Sequence, residues 1–194
     1  MNRSFSNVLV DNLYKDRSAG RDFLLIAGFS LVTAVMAQIR IGLPFTPVPL
    51  TGQTFAVLLS GVILGSRRGF LSQVLYLAEG AAGFPVFAGG VGSVVHLVGP
   101  TGGYLWSFPV AAALVGWLVE RGASRSSSRL AGAFIISDLV ILAGGAAWLH
   151  VLFQAPYAES WAVDFYPFLA ADILKIVVIG LSLPYILRRL NAGE

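Results

Sequence analysis

The sequence contains no cysteine, which excludes disulfide bonds, thiolate nucleophiles and cysteine-ligated metal sites. It has only two histidines, and neither stands beside carboxylates at the spacing of a metal site. We therefore expect no metal and no cofactor. His96 and His150 are predicted to be isolated surface residues at the outer interface. A P-loop is also missing, so the chain does not bind and hydrolyse ATP by that route.

Charge is scarce as well. Charged residues make up 12% of the chain and hydrophobic residues 56%, with a mean hydropathy of +0.77, whereas soluble domains carry about 25% charged residues. The net charge of +3 does not indicate nucleic-acid binding, because no basic stretch is interleaved with aromatics in a polar context. The composition is that of a protein embedded in a lipid bilayer.

Apolar runs recur along the chain and predict an all-α membrane protein with six transmembrane helices. The predicted helices cover residues 23–39, 53–65, 70–84, 104–119, 130–149 and 168–187. Runs two to four are shorter than the roughly 20 residues of a full span, so neighbouring loop residues are expected to extend them. A proline-rich loop at 44–49 separates the first two runs and is expected to be stiff, extended and suited to act as a lid. A glycine-rich loop at 85–103 follows the third run.

Basic residues define the predicted orientation. With the N-terminus inside, eleven of the thirteen Lys and Arg residues fall in inner segments, as the positive-inside rule requires. We therefore expect both termini to be cytoplasmic and the two unusual loops to face outward. Residues 1–22 lack the apolar core and cleavage site of a signal peptide and are predicted to be a cytoplasmic segment. Residues 23–190 would form the six-helix substrate-binding domain, with its cavity open to the outer side.

Two charged residues in the last run, Asp172 and Lys175, are the strongest candidates for function. Ionisable groups inside a membrane cost about 2.5–3.5 kcal/mol on insertion scales, and residues three apart share a helix face. They either neutralise each other in a salt bridge or line a polar cavity. Their predicted depth in the membrane, close to the outer end of the helix, favours a cavity that opens to the outside. They could serve an enzyme as acid and base, but no nucleophile or metal set accompanies them, so we expect no enzyme. For Glu79 and Asp138, helix–helix hydrogen bonding and a substrate role are equally weighted.

Four segments carry a resemblance to a known family. QIRIGLPFTPVPLTGQT at 38–54, GFPVFAGG at 83–90, GPTGGY at 99–104 and DILK at 172–175 resemble, in order and spacing, the BioY family. The first and third of these segments are highly specific. Val91 departs from the pattern, since some family members carry a polar residue just after the double glycine.

The resemblance implies a substrate-binding S component of an energy-coupling factor (ECF) transporter, with six helices and high affinity for biotin. Import would then be driven by a separate coupling transmembrane subunit and cytoplasmic ATPases, in the plasma membrane of a prokaryote. The missing P-loop agrees with this division of labour. A self-sufficient channel or secondary transporter is the alternative. No internal repeat supports it, although some family members have been proposed to transport without the coupling module.

The same resemblance implies particular contacts. Asp172 would accept hydrogen bonds from ureido N–H groups, and Lys175 would either donate to the ureido carbonyl or pair with the valerate carboxylate. Phe45, Phe87 and Tyr104 would pack on the thioether ring, unless they are interfacial aromatics, and Gln53 would offer its amide. Small residues at four-residue spacing on the first helix form an expected docking face for the coupling subunit. This face consists of Ser30, Thr33, Ala34 and Ala37.

Overall fold

The structure, a computed structural model, describes residues 8, 18–154, 165–169 and 172, and this part of the chain is mainly helical. Its long elements are α1 (Ala19–Gln38), α2 (Gln53–Leu64), α3 (Ser66–Ala81), α5 (Gly102–Glu120) and α6 (Ser127–Phe153). A short helix, α4 (Val94–Val98), lies in the loop between α3 and α5. Two short strands, β1 (Arg40–Ile41) and β2 (Leu50–Thr51), join α1 to α2, and a 3₁₀ turn (Ala123–Arg125) joins α5 to α6.

These elements coincide with the first five predicted apolar runs. Helices α1, α5 and α6 are long and apolar enough to cross a membrane, and α2 is a shorter apolar helix. The fold is therefore mostly helical, with three membrane-span candidates among the described residues. Apart from residues 168, 169 and 172, the predicted sixth helix at 168–187 lies outside the described residues, as does most of the predicted cytoplasmic segment at 1–22. Six spans and their orientation stay predictions.

Two paired strands close the base of the proline-rich segment. Strands β1 and β2 pair antiparallel, with Arg40 opposite Thr51 and Ile41 opposite Leu50. The prolines lie in the connection between the strands, where their missing N–H groups cost no ladder hydrogen bond. The backbone N–H of Gly52 donates to the carbonyl of Ile39 (3.1 Å), which holds the start of α2 next to the end of α1. The expected stiff loop is thus a hairpin.

Glycines allow α2, α3 and α5 to pack with their backbones nearly touching. A Cβ on Gly61 of α2 would lie 2.2 Å from the carbonyl oxygen of Ala112 on α5. A Cβ on Gly69 of α3 would lie 2.8 Å from the Cα of Gly61. Close approach of this kind maximises van der Waals contact, which drives helix association where lipid removes the hydrophobic effect.

The small-residue face of α1 points into the protein in this structure, and its role as a docking surface stays a prediction. Ser30, Thr33, Ala34 and Ala37 are the buried residues of this helix. Ser30 donates a hydrogen bond to the Glu79 carboxylate on α3. The four residues therefore pack against the chain's own helices and are not available to a separate subunit in this arrangement. Small residues with this spacing suit either kind of contact, and spacing alone does not distinguish them.

Polar side chains fill part of this internal contact. The Gln73 amide donates to the hydroxyls of Thr33 (3.2 Å) and Ser60 (3.1 Å), so α1, α2 and α3 share one buried network. The bond from Ser30 gives Glu79 the helix–helix contact that was one of its two predicted roles. Asp138 is also buried, at 1% exposure, within α6.

Two polar contacts join the helix ends at the side of the molecule away from the hairpin. Arg68 at the start of α3 forms an ion pair with Asp22 at the start of α1 (3.0 Å). Glu120 at the end of α5 accepts hydrogen bonds from the backbone N–H (2.7 Å) and hydroxyl (2.8 Å) of Ser66. The start of α1, the α2–α3 corner and the end of α5 therefore lie together.

The close packing at Gly61 makes a testable prediction. In Gly61→Ala, the added methyl meets a backbone carbonyl and Val115, so we expect a loss of about 1–3 kcal/mol of stability, as for overpacked cores. Gly132→Ala on α6 is the matched control, because a Cβ there has no neighbour within 4 Å and alanine favours the helix. Thermal unfolding of both purified variants in detergent measures the difference. Equal melting temperatures would contradict the packing role of Gly61.

Candidate functional site

The main candidate site is a cavity of about 490 Å³ at the hairpin end of the bundle. Its walls come from the hairpin, the 85–103 loop with α4, the first turns of α2 and α5, and residues 168 and 172. The volume lies within the range of about 300–1,000 Å³ typical of small-molecule sites. The cavity is therefore large enough for a ligand of vitamin size.

Four of the six predicted ligand contacts line this cavity, namely Gln53, Phe87, Tyr104 and Asp172. Phe45 is not part of the lining, and its ring is 53% exposed on the connection of the hairpin. The geometry therefore gives no support to the predicted contact of Phe45. Lys175 lies outside the described residues.

Asp172 forms the acidic part of the cavity. It is only 2% exposed, and the hydroxyl of Thr54, in the first turn of α2, donates to its Oδ1 (3.1 Å). A carboxylate removed from water needs donors to offset its desolvation. The Asp172 carboxylate therefore suits a ligand that presents N–H groups.

Gln53 connects two walls of the cavity, the hairpin and the 85–103 loop, through α3. Its Nε2 donates to the Tyr76 hydroxyl (2.6 Å), and its Oε1 accepts from the hydroxyl of Thr51 (3.0 Å). The Tyr76 hydroxyl in turn donates to the carbonyl of Val86 (3.1 Å). This chain of hydrogen bonds ties the hairpin, α3 and the 85–103 loop together. Gln53 thus positions the walls, and within the described part of the chain one of its amide N–H groups is left for a ligand.

Two of the aromatic rings that line the cavity, those of Phe87 and Tyr104, lie on glycines. A Cβ on Gly80 would lie 2.0 Å from Cζ of Phe87, and a Cβ on Gly145 would lie 2.2 Å from Cζ of Tyr104. Each ring therefore lies directly on the backbone of a neighbouring helix. The Tyr104 ring also packs against Phe168, with 5.8 Å between centroids. The rings form a rigid apolar wall beside the polar groups.

Tryptophans hold the 85–103 loop over the bundle. The indole N–H of Trp106 donates to the carbonyl of Leu97 (3.0 Å), and that of Trp148 donates to the carbonyl of Gly99 (2.9 Å). At the other end of the loop, the Gln38 amide donates to the carbonyl of Phe87 (3.2 Å). The loop is therefore an ordered wall of the cavity.

Sequence reasoning missed several polar residues of the lining, among them Arg40, Thr54 and His96. Arg40 and Thr54 stand in or at the end of the segment at 38–54 but were not predicted as site residues, and His96 was predicted to be an isolated surface residue. His96 is half-buried and lines the cavity, because the loop folds into α4 and turns this side chain towards Phe87. The hydrogen-bonding serine before α4, Ser93, is a cap signal that predicts such a helix.

The anchoring of the 85–103 loop by Trp148 can be tested without a ligand. Trp148→Phe keeps the aromatic packing but removes the donor to Gly99, so we expect amide exchange in residues 94–102 to accelerate about fivefold, since one hydrogen bond contributes about 1 kcal/mol. Trp117→Phe is the matched control, because that ring lies near the far end of α5 against Arg121. Hydrogen–deuterium exchange by mass spectrometry measures the change. Unchanged exchange in Trp148→Phe would refute the anchoring role.

Known proteins resemble the chain over most of its length. A protein of Pyrococcus horikoshii named "Probable biotin transporter BioY" is 38% identical over 155 residues, 80% of this chain and 89% of that protein. The protein of Thermotoga maritima named "Biotin transporter BioY" is 36% identical over 159 residues, 81% and 91% of the two chains. These relatives are named as transporters, so the expectation that the chain is not an enzyme is confirmed.

A solved structure has the same fold. The crystal structure of an S component for biotin from an ECF-type ABC transporter superposes with a TM-score of 0.80 and covers 89% of this chain and 95% of its own. At 20% sequence identity, this likeness shows the fold alone. The BioY family model matches residues 9–192, nearly the whole sequence. With relatives above 30% identity across four fifths of its length, the chain belongs to the BioY family.

Proposed function

We propose that this protein binds biotin from the outside and delivers it to the cell as the S component of an ECF transporter. The observation that carries the proposal is the cavity, in which the buried carboxylate of Asp172 lies among aromatic rings. Curated relatives at 36–38% identity carry the name of biotin transporter, which supports the choice of ligand. A BioY protein needs such a cavity.

The lining matches the chemistry of biotin. The ureido ring has two N–H donors for Asp172, which Thr54 already orients through a hydrogen bond. The apolar thioether ring suits the wall formed by Phe87 and Tyr104. Lys175 would lie one helical turn from Asp172 and would either donate to the ureido carbonyl or pair with the valerate carboxylate.

The cavity belongs on the outer side of the membrane in this proposal. Arg67, Arg68 and Arg121 lie at the α2–α3 corner and the end of α5, where polar contacts join the helix ends. The cavity lies at the opposite end, beside the hairpin. By the positive-inside rule the arginine-rich end faces the cytoplasm. This supports a cavity open outward. Six helices with both termini inside, in a prokaryotic plasma membrane, complete the proposal.

Energy for import would come from other subunits. The sequence has no P-loop, and an S component by definition works with a coupling transmembrane subunit and cytoplasmic ATPases. Since Ser30, Thr33, Ala34 and Ala37 pack inside the chain, the coupling subunit would dock on other residues. The outward face of α1 is apolar, with Leu31 and Val35 exposed.

Titration calorimetry tests the binding site. We expect detergent-purified protein to bind biotin tightly at one site, and Asp172→Asn to weaken binding roughly 10- to 100-fold, because hydrogen bonds to charged groups contribute about 1.5–3 kcal/mol. Lys175→Ala is expected to weaken it by a similar factor. Asp22→Asn is the matched control at the far end of the bundle and should bind like the wild type. A folded wild-type protein that binds no biotin would overturn the assignment.

Reconstitution tests the dependence on partners. In proteoliposomes, we expect uptake of radiolabelled biotin only when the coupling subunit, the ATPases and ATP accompany this chain. The physical reason is that a binding protein without an energy source only equilibrates its ligand. Concentrative uptake by the chain alone would instead identify a secondary transporter, and this outcome would leave the binding data intact.

A further inference from the structure

The charged residues of the cavity lining belong to different elements of the fold. Among the described residues of the lining, Arg40 and His96 are the only basic side chains, and Asp172 is the only acidic one. Asp172 contacts Thr54 in the first turn of α2. The two basic residues belong to the hairpin and to α4. A ligand with donors at one end and a negative charge at the other would match this distribution.

The two basic residues share one wall, built by the turn from Phe87 to Val91. The turn is closed by the N–H of Phe87, which donates to the carbonyl of Val91 (2.9 Å), and it relies on positive φ at Gly89 (93°) and Gly90 (70°). A Cβ on Gly89 would lie 2.6 Å from Nη1 of Arg40. The guanidinium of Arg40 therefore rests directly on the glycine turn.

His96 contacts the same turn. Its imidazole centroid lies 6.1 Å from that of Phe87 at an angle of 49°. Nδ1 is shielded from solvent and has no hydrogen-bond partner among the described residues, whereas Nε2 is not shielded in this way. Nε2 is therefore the imidazole nitrogen that a ligand in the cavity can reach, and it can donate a hydrogen bond to an anionic group. Trp106 and Trp148 fix the backbone that carries it.

From this arrangement we propose that His96 binds the ligand's carboxylate, beside Arg40, and thereby selects carboxylate-bearing ligands over neutral ones. The inference rests on the proposed function, because it assigns one end of biotin within the same cavity. It places the valerate carboxylate at the Phe87–Val91 wall and the ureido ring at Asp172. Lys175 is then left to the ureido carbonyl, which is one of its two predicted roles.

The test compares biotin with biotinamide, in which a neutral carboxamide of the same shape replaces the carboxylate. Titration calorimetry gives the preference, defined as the ratio of the two dissociation constants, for wild type and variants. In His96→Ala we expect the preference for biotin to fall about tenfold, as for one hydrogen bond to a charged group. Affinity for biotinamide should change less than about threefold. In His96→Gln, which retains an N–H donor, the preference should lie closer to that of the wild type.

The matched control is His150→Ala, which removes the chain's other histidine at a position outside the cavity lining and should leave the preference unchanged. Melting temperatures of all variants report whether each protein is folded. Equal losses of biotin and biotinamide in His96→Ala would overturn the inference, since they would indicate a role in shape. An unchanged preference in both His96 variants would overturn it as well. In either case the wild type still binds biotin, so the proposed function stands; a wild type that binds no biotin would refute the proposed function itself.

Discussion

Close contact between the backbones of α2, α3 and α5 is the constraint on which the rest of the structure depends. Gly61 and Gly69 let these helices meet without intervening side chains, which matters in lipid, where packing replaces the hydrophobic effect between helices. Because α2 and α3 are short, the bundle leaves room at one end. The hairpin and the 85–103 loop close over that room and form the cavity.

Inside the bundle, several buried polar side chains form hydrogen bonds with one another. The Gln73 amide bonds to Thr33 and Ser60, and the Glu79 carboxylate accepts from Ser30. Each of these groups would be costly in hydrocarbon without its partner. The network also defines how α1 lies on α3, and it accounts for the inward direction of the small residues that had been assigned to a partner subunit.

The cavity combines rigid walls with charged groups of both signs. Phe87 and Tyr104 rest on glycine backbones, and the amide of Gln53 links the hairpin to α3 and, through Tyr76, to the 85–103 loop. Rings and amides held in this way lose little freedom when a ligand binds, which favours affinity. In the proposed complex, the carboxylate of Asp172 and the basic wall at Arg40 and His96 would give the bound molecule a direction.

The sequence by itself determined the class of protein, the family and the positions of the first five helices. It also predicted four residues that line the cavity. Hydropathy is a local property, and the motifs at 38–54, 83–90 and 99–104 are contiguous, so both can be recognised without a structure. Gln53, Phe87, Tyr104 and Asp172 were found because they stand in or beside such motifs. Only the tertiary structure decided which faces meet. Helical spacing shows that Ser30, Thr33, Ala34 and Ala37 share a face, but packing against α3 turned that face inward. His96 likewise joined the cavity, and Phe45 fell outside its lining, because side-chain direction in a loop depends on distant contacts such as those of Trp106 and Trp148.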